Sequence, residues 1–127
     1  MPVATYQSID AGMLKSIHNP AQCAYQIKID IPECTFFGVH EQPDFCDLSL
    51  MFYPADKVIE LKSLKHYVFQ LRNIVVSYER LLNVMYQHLM AAYQPERLRL
   101  VMVCKPRGGI SSELTIDSDW HTKLPSV

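Results

Sequence analysis

Side chains able to do chemistry gather in three places along this chain. Glu60, Lys62, Ser63 and Lys65 fall within six residues, His40, Glu41 and Asp44 within five, and Glu79 opens a stretch of helical periodicity. The first group sets opposite charges around a strand-to-helix junction, an arrangement that solvated surface ion pairs commonly adopt. His40 and Glu41 are titratable residues in a loop, and a glutamate at the position of Glu79 suits the positive end of a helix dipole. Cysteine supplies a further set of reactive groups. Cys23, Cys34, Cys46 and Cys104 are widely spaced, with no Cys-x-x-Cys pair that would indicate zinc or redox work. They read as reduced thiols buried as small apolar groups. Twelve basic residues against thirteen acidic ones give a formal charge of −1. No basic run is long enough to track phosphates, which argues against a polymeric nucleic acid as partner.

These residues need elements to position them. The chain has 127 residues and 49% hydrophobic content, the size and composition of one domain with an ordinary core. Its apolar runs are short and its N-terminus lacks the layout of a secretion signal, so a cytoplasmic protein without a membrane partner is expected. Residues 1–23 mix Pro2, Gly12 and Pro20 with polar residues and read as an arm, with a possible helical turn at Met13 to Ile17. Residues 24–120 form the domain, and 121–127 a tail. Alternation from Tyr25 to Ile31 predicts a half-buried strand. A loop containing Pro32, Gly38 and Pro43 follows, then strands at Leu48 to Phe52 and Val58 to Leu61. Helical spacing covers Ser63 to Arg72 and resumes behind a serine cap at Ser77, through Leu81, Met85 and Leu89. Leu98 to Cys104 and Ile110 to Ile116 are the last strands. This order predicts an α+β domain with an antiparallel sheet and two helices on one face. Exposed sheet edges make closure into a ring with copies of itself a natural remedy.

Three ordered motifs carry a family resemblance. Gln42-Pro43-Asp44-Phe45 is followed by Glu60-Leu61-Lys62-Ser63-Leu64-Lys65 with Phe69-Gln70-Leu71-Arg72-Asn73, and then by Pro106-Arg107-Gly108-Gly109-Ile110-Ser111. Together they resemble the 7-cyano-7-deazaguanine reductase (QueF) family of the tunnelling-fold (T-fold) superfamily, over more than half of the chain. The resemblance implies a tunnelling fold assembled as a homo-oligomeric ring, a pentamer or a decamer of stacked pentamers. It also implies a free 7-deazaguanine base as the small-molecule partner, whose product could enter transfer RNA or DNA. Glu79 would accept hydrogen bonds from the amidine edge of that base, since a carboxylate is an acceptor that can take two parallel charge-assisted bonds. Glu60, Ser63 and Phe37 would line the base, and Asp44 would supply protons near its C7 substituent. Lys62, Lys65 and Arg107 would contact phosphates if NADPH binds. The histidine that precedes the family's glutamate is Tyr78 here. No metal is implied.

One departure changes the expected chemistry. The reductases attack the substrate nitrile with a cysteine five positions before the Gln of Gln-Pro-Asp-Phe, and the ungapped counterpart here is Phe37. Cys34 comes three residues earlier and Cys46 follows the motif. Loss of the thiolate removes the covalent step. A base pocket with an acid and no nucleophile suits protonation at C7 by Asp44 or His40, followed by loss of the substituent. Decarboxylation of 7-carboxy-7-deazaguanine, a lyase reaction that needs no cofactor, is therefore the expected activity. A substrate carboxylate beside Asp44 would favour its protonated form by like-charge repulsion. Two alternatives stand beside it: an NADPH-dependent nitrile reductase or amidine-forming relative in which Cys34 reaches the nitrile, and a non-catalytic base-binding subunit.

Overall fold

Residues 4–39 and 42–120 are described by a computed structural model, Arg107 by its backbone alone. The chain begins with β1 (Ala4–Thr5), 3-10 turns at Tyr6–Ser8 and Ala11–Met13, and β2 (Ser16–His18). Two eleven-residue strands follow, β3 (Ile27–Phe37) and β4 (Pro43–Tyr53), then β5 (Lys57–Ile59) and α1 (Leu61–Phe69). A 3-10 turn at Gln70–Asn73 and β6 (Ile74–Val75) lead into α2 (Tyr78–Tyr93), and the hairpin of β7 (Arg97–Arg107) and β8 (Ile110–Asp117) closes the described chain. Six strands form one sheet in the order β1-β6-β3-β4-β7-β8, antiparallel from β3 to β8, and β2 pairs with β5 in a small second sheet. Among the described residues no helix is long and apolar enough to cross a membrane.

Alternation decides which sheet face is buried. Phe36, Leu48, Leu50, Phe52, Leu98, Leu100 and Met102 point inward and are almost fully buried. Leu81, Met85 and Leu89 of α2 and Leu64, Tyr67 and Val68 of α1 cover them at helical spacing. Burying each such side chain contributes about 1.5–3 kcal/mol, and this layer holds both helices on one face, as the sequence predicts. The helices run antiparallel. Tyr67 meets His88 through a 2.7 Å bond between its hydroxyl and Nδ1, and the Tyr93 hydroxyl donates to the Lys15 carbonyl at 2.9 Å, beside Ser63. Burial pushes the Tyr67 phenol up and the His88 imidazole down, so both partners of this bond favour their neutral forms.

The boundaries differ from the sequence expectation in instructive places. β3 runs six residues past Ile31, through Pro32, because a register irregularity between Ile31 and Cys34 accommodates the residue that cannot donate to the ladder. The expected loop shrinks to the turn between Phe37 and Pro43. Leu61 belongs to α1 rather than to the preceding strand, since the Glu60 carboxylate accepts from the Lys62 and Ser63 amides and caps the helix. The described part of the arm is tied down as well, with β1 beside β6 and β2 beside β5. The Met13–Ile17 stretch holds the end of a 3-10 turn and most of β2 instead of a helical turn.

At the far end of the sheet Asp117 is buried and takes three bonds from two arginines, from Arg97 Nε at 3.2 Å, Arg97 Nη2 at 2.8 Å and Arg99 Nη1 at 3.0 Å. The Arg97 guanidinium, helped by the Asp119 amide and Arg99, holds this carboxyl well below the usual carboxylate range. Asp117→Asn should lower stability by about 2 kcal/mol at neutral pH, a figure moderated because both guanidinium groups remain partly solvated. The depressed value makes this contribution complete above the unfolded carboxylate value of about 4, and it fades as pH falls below that. Thermal melts of the two proteins should therefore differ clearly at pH 7, and the difference should begin to narrow below about pH 4 while remaining visible at pH 3.

Candidate active site

The β3–β4 hairpin places the acid. Its register sets Cys34 opposite Cys46, Thr35 opposite Phe45, Phe36 opposite Asp44 and Phe37 opposite Pro43. Side chains at even positions here face the helices, so Asp44 shares the buried face with Phe36, Cys34 and Cys46 and is 9% exposed. The Gly38 amide donates to the Gln42 carbonyl at 2.8 Å and closes the turn above it. Gly38 lies against the acid itself. A β-carbon built on Gly38 would come within 2.7 Å of Asp44 Oδ2.

The start of α2 brings the second carboxylate. The Val76 amide donates to the Phe37 carbonyl at 2.8 Å, which pins the segment before α2 to the hairpin. The Ser77 hydroxyl accepts from the Arg80 amide and starts the helix there. Tyr78 and Glu79, in the first turn, thus start from the end of the hairpin that carries Asp44. Burial raises the Tyr78 phenol above its ordinary value, and the charges of Asp44 and Glu79 act on it in the same direction. This end of the chain therefore has a buried carboxyl on the sheet, a solvent-facing carboxylate on the helix, and a phenol next to it in sequence that stays protonated at neutral pH. Such a set can hold an amidine edge and move a proton at a second position of one flat ring.

No thiolate is available beside it. Cys34, Cys46 and Cys104 stand in register on three adjacent strands and are all buried. Burial, reinforced by Cys104, pushes the Cys34 thiol up to about 12. Burial and the neighbouring Cys104 push Cys46 higher still, and burial raises Cys104. A thiol in this state is a poor nucleophile at neutral pH. Cys23 is exposed but precedes the start of β3, roughly 30 Å along the strand from Asp44. Phe37 is half-buried on the opposite sheet face and lines a cavity of about 640 Å³ with Thr35, Phe45, Arg72 and Lys105. A side chain at position 37 therefore points away from Asp44.

The remaining sequence-derived candidates lie elsewhere in the chain. Glu60 caps α1, and Ser63 Oγ accepts from the Lys15 amide at 3.0 Å while donating to the Glu60 carbonyl at 2.7 Å. Both sit beside the C-terminal end of α2, about 20 Å along that helix from Glu79. Lys62 borders an open cleft of about 700 Å³ with Lys15, Glu60 and His66, whereas Lys65 borders a different groove of about 280 Å³ with Ile29, Leu64 and Phe69. The two lysines stand three residues apart on the exposed side of α1. His40 lies outside the described residues, as does the Arg107 side chain. Among the described residues no group of three or more His, Cys, Asp and Glu is arranged to hold a metal ion. Gly38 is the neighbour of Asp44 that sequence reading missed. Its importance depends on the hairpin register, which no local pattern reveals.

A mostly antiparallel sheet with two helices on one face, with Asp44 at the end of the long hairpin and Glu79 at the start of α2, defines an α+β domain. Comparison with known proteins narrows the class. Residues 43–123 match the QueF-like protein family. The chain is 39% identical over 98 residues to the NADPH-dependent 7-cyano-7-deazaguanine reductase of Prochlorococcus marinus (strain MIT 9215), covering 74% of this chain and 70% of that protein. It is 36% identical over 117 residues to the protein of that name from Nitrosomonas eutropha, covering 88% and 84%. Among solved structures, the archaeosine synthase QueF-Like in its apo form superposes with a TM-score of 0.64 at 16% identity, covering 83% of this chain and 99% of that one. The chain belongs to the QueF-like family, a tunnelling-fold family of 7-deazaguanine metabolism.

Proposed function

We propose that this protein acts on the C7 substituent of a free 7-deazaguanine base by proton transfer from Asp44, without a covalent enzyme intermediate, and that the reaction is decarboxylation of 7-carboxy-7-deazaguanine. The observation that carries this reading is the surroundings of Asp44. Gly38 lies against its carboxylate, Phe37 lines the cavity on the other face, and Cys34, Cys46 and Cys104 are buried thiols. In the proposed step Glu79 holds the amidine edge, and the Asp44 proton passes to C7. The C7–carboxylate bond then breaks, its electron pair returns to the pyrrole ring, carbon dioxide leaves, and Asp44 regains its proton from water.

The relatives' names favour a second reading, NADPH-dependent reduction of the 7-cyano base. That reaction consumes NADPH, so its oxidation in the presence of the cyano base separates the two.

The distance between Glu79 and the Glu60–Ser63 group supports a homo-oligomer in which one subunit's α1 end approaches another's Asp44 end. A pentamer or a decamer is the proposed form, with Glu60, Ser63 and Lys62 supplied across the interface. Light scattering on purified protein should report such an assembly, and a fully active monomer would contradict it.

A further inference from the structure

We infer that Gly38 is a positioning residue for Asp44: it is glycine because any β-carbon at that place would displace the acid's carboxyl group. The inference rests on the role proposed above for Asp44. Glycine usually answers a backbone need for the left-handed region, and Gly108 and Gly109 do so here with φ of 59° and 80°. Gly38 is not among the positive-φ residues, so its backbone conformation is open to other amino acids. Its hydrogen bond to Gln42 uses only the main-chain amide and would survive a side chain.

What forbids the side chain is space. A β-carbon would meet Asp44 Oδ2 at 2.7 Å, closer than such carbons approach other atoms, and Asp44 Cγ at 3.6 Å. The third neighbour, the Gln42 carbonyl oxygen at 3.5 Å, is an ordinary contact. The obstacle is thus the carboxylate alone. Both residues are buried, and the turn's hydrogen bond fixes Gly38, so the side chain of Asp44 is the part that must rotate. Rotation swings the acid's oxygens away from the position they hold against Gly38 at the end of the β3–β4 hairpin. Gly38 thereby sets where the proton is delivered, while base affinity belongs to Glu79.

The test uses the full chain and the substrate that the wild-type protein turns over, the carboxy base alone or the cyano base with NADPH. Gly38→Ala should lower kcat by about 10- to 100-fold, the scale of an ångström-sized misplacement of a catalytic group. Its affinity for unsubstituted 7-deazaguanine, measured by calorimetry, should stay at the wild-type value. In an Asp44→Ala background the clash is gone, so adding Gly38→Ala should leave the melting temperature unchanged even where Gly38→Ala alone lowers it. Three results would overturn the inference: wild-type kcat in Gly38→Ala, an equal loss of base affinity, or the same drop in melting temperature in both backgrounds. Asp44→Asn distinguishes the levels. If it retains wild-type turnover, or if the wild-type protein turns over neither base, the role of Asp44 falls and this inference with it. If Asp44→Asn is inactive while Gly38→Ala is fully active, only the positioning role falls.

Discussion

Asp44→Asn should lower turnover of the C7-substituted base by about a hundredfold to ten-thousandfold, the usual contribution of a general acid, whereas alanine at Cys34, Cys46 or Cys104 should leave kcat close to wild type. An amide at position 44 keeps the shape and burial of the acid but has no proton to release, so the variant should still fold and bind base. The cysteine variants are expected to lose about 1 kcal/mol of stability each, because they truncate well-packed buried side chains. Steady-state kinetics on the folded proteins checks both halves. The opposite pattern, an inactive Cys34→Ala together with a covalent mass adduct formed by the wild-type protein on the cyano base, would mean that the β3 thiol becomes exposed in the working enzyme. Nitrile reduction would then take first place.

Glu79→Gln should weaken binding of 7-deazaguanine bases by about 30- to 1000-fold, because it exchanges a charged double acceptor for an amide that must turn one donor toward the ring's own N–H groups. The substitution sits in the first turn of α2 on a solvent-facing side chain, so the melting temperature should barely move. Calorimetry with the unsubstituted base reads the affinity without turnover. Unchanged affinity would remove Glu79 from the site and leave Tyr78 and Asp44 without a recognition partner.

How far the sequence alone reaches differs between elements. The α2 helix was readable because Ser77 caps it and Leu81, Met85 and Leu89 repeat at one face, both local signals. The inward faces of β4 and β7 were readable for the same reason, at a period of two. β3 beyond Ile31 was not, because Pro32 and Gly38 are ordinary loop signals and only the pairing with β4 shows that the irregularity after Ile31 absorbs the proline. The two- and three-residue strands of the arm exist through partners at β5 and β6, which no pattern within the arm announces.

The site divides along the same line. Asp44 and Glu79 were marked by motif order, and the Val76–Phe37 hydrogen bond ties the segment before α2 to the hairpin that carries Asp44. Glu60 and Ser63 carry the same motif signal, yet the antiparallel helix pair sets them about 20 Å away in the chain. Separation of that kind depends on helix direction, which sequence spacing cannot express. Lys62 and Lys65 are three apart on the exposed side of one helix and still border different clefts, Lys62 with Glu60 and His66 and Lys65 with Leu64 and Phe69.

Incubating the purified protein with the carboxy, cyano and aminomethyl forms of 7-deazaguanine, each with and without NADPH, and weighing products and protein by mass spectrometry tests the central claim most directly. The carboxy base alone should be consumed, losing the mass of one carbon dioxide at the same rate with or without NADPH, while the protein mass stays unmodified. Conversion of the cyano base with oxidation of NADPH, accompanied by a protein-bound adduct, would contradict it.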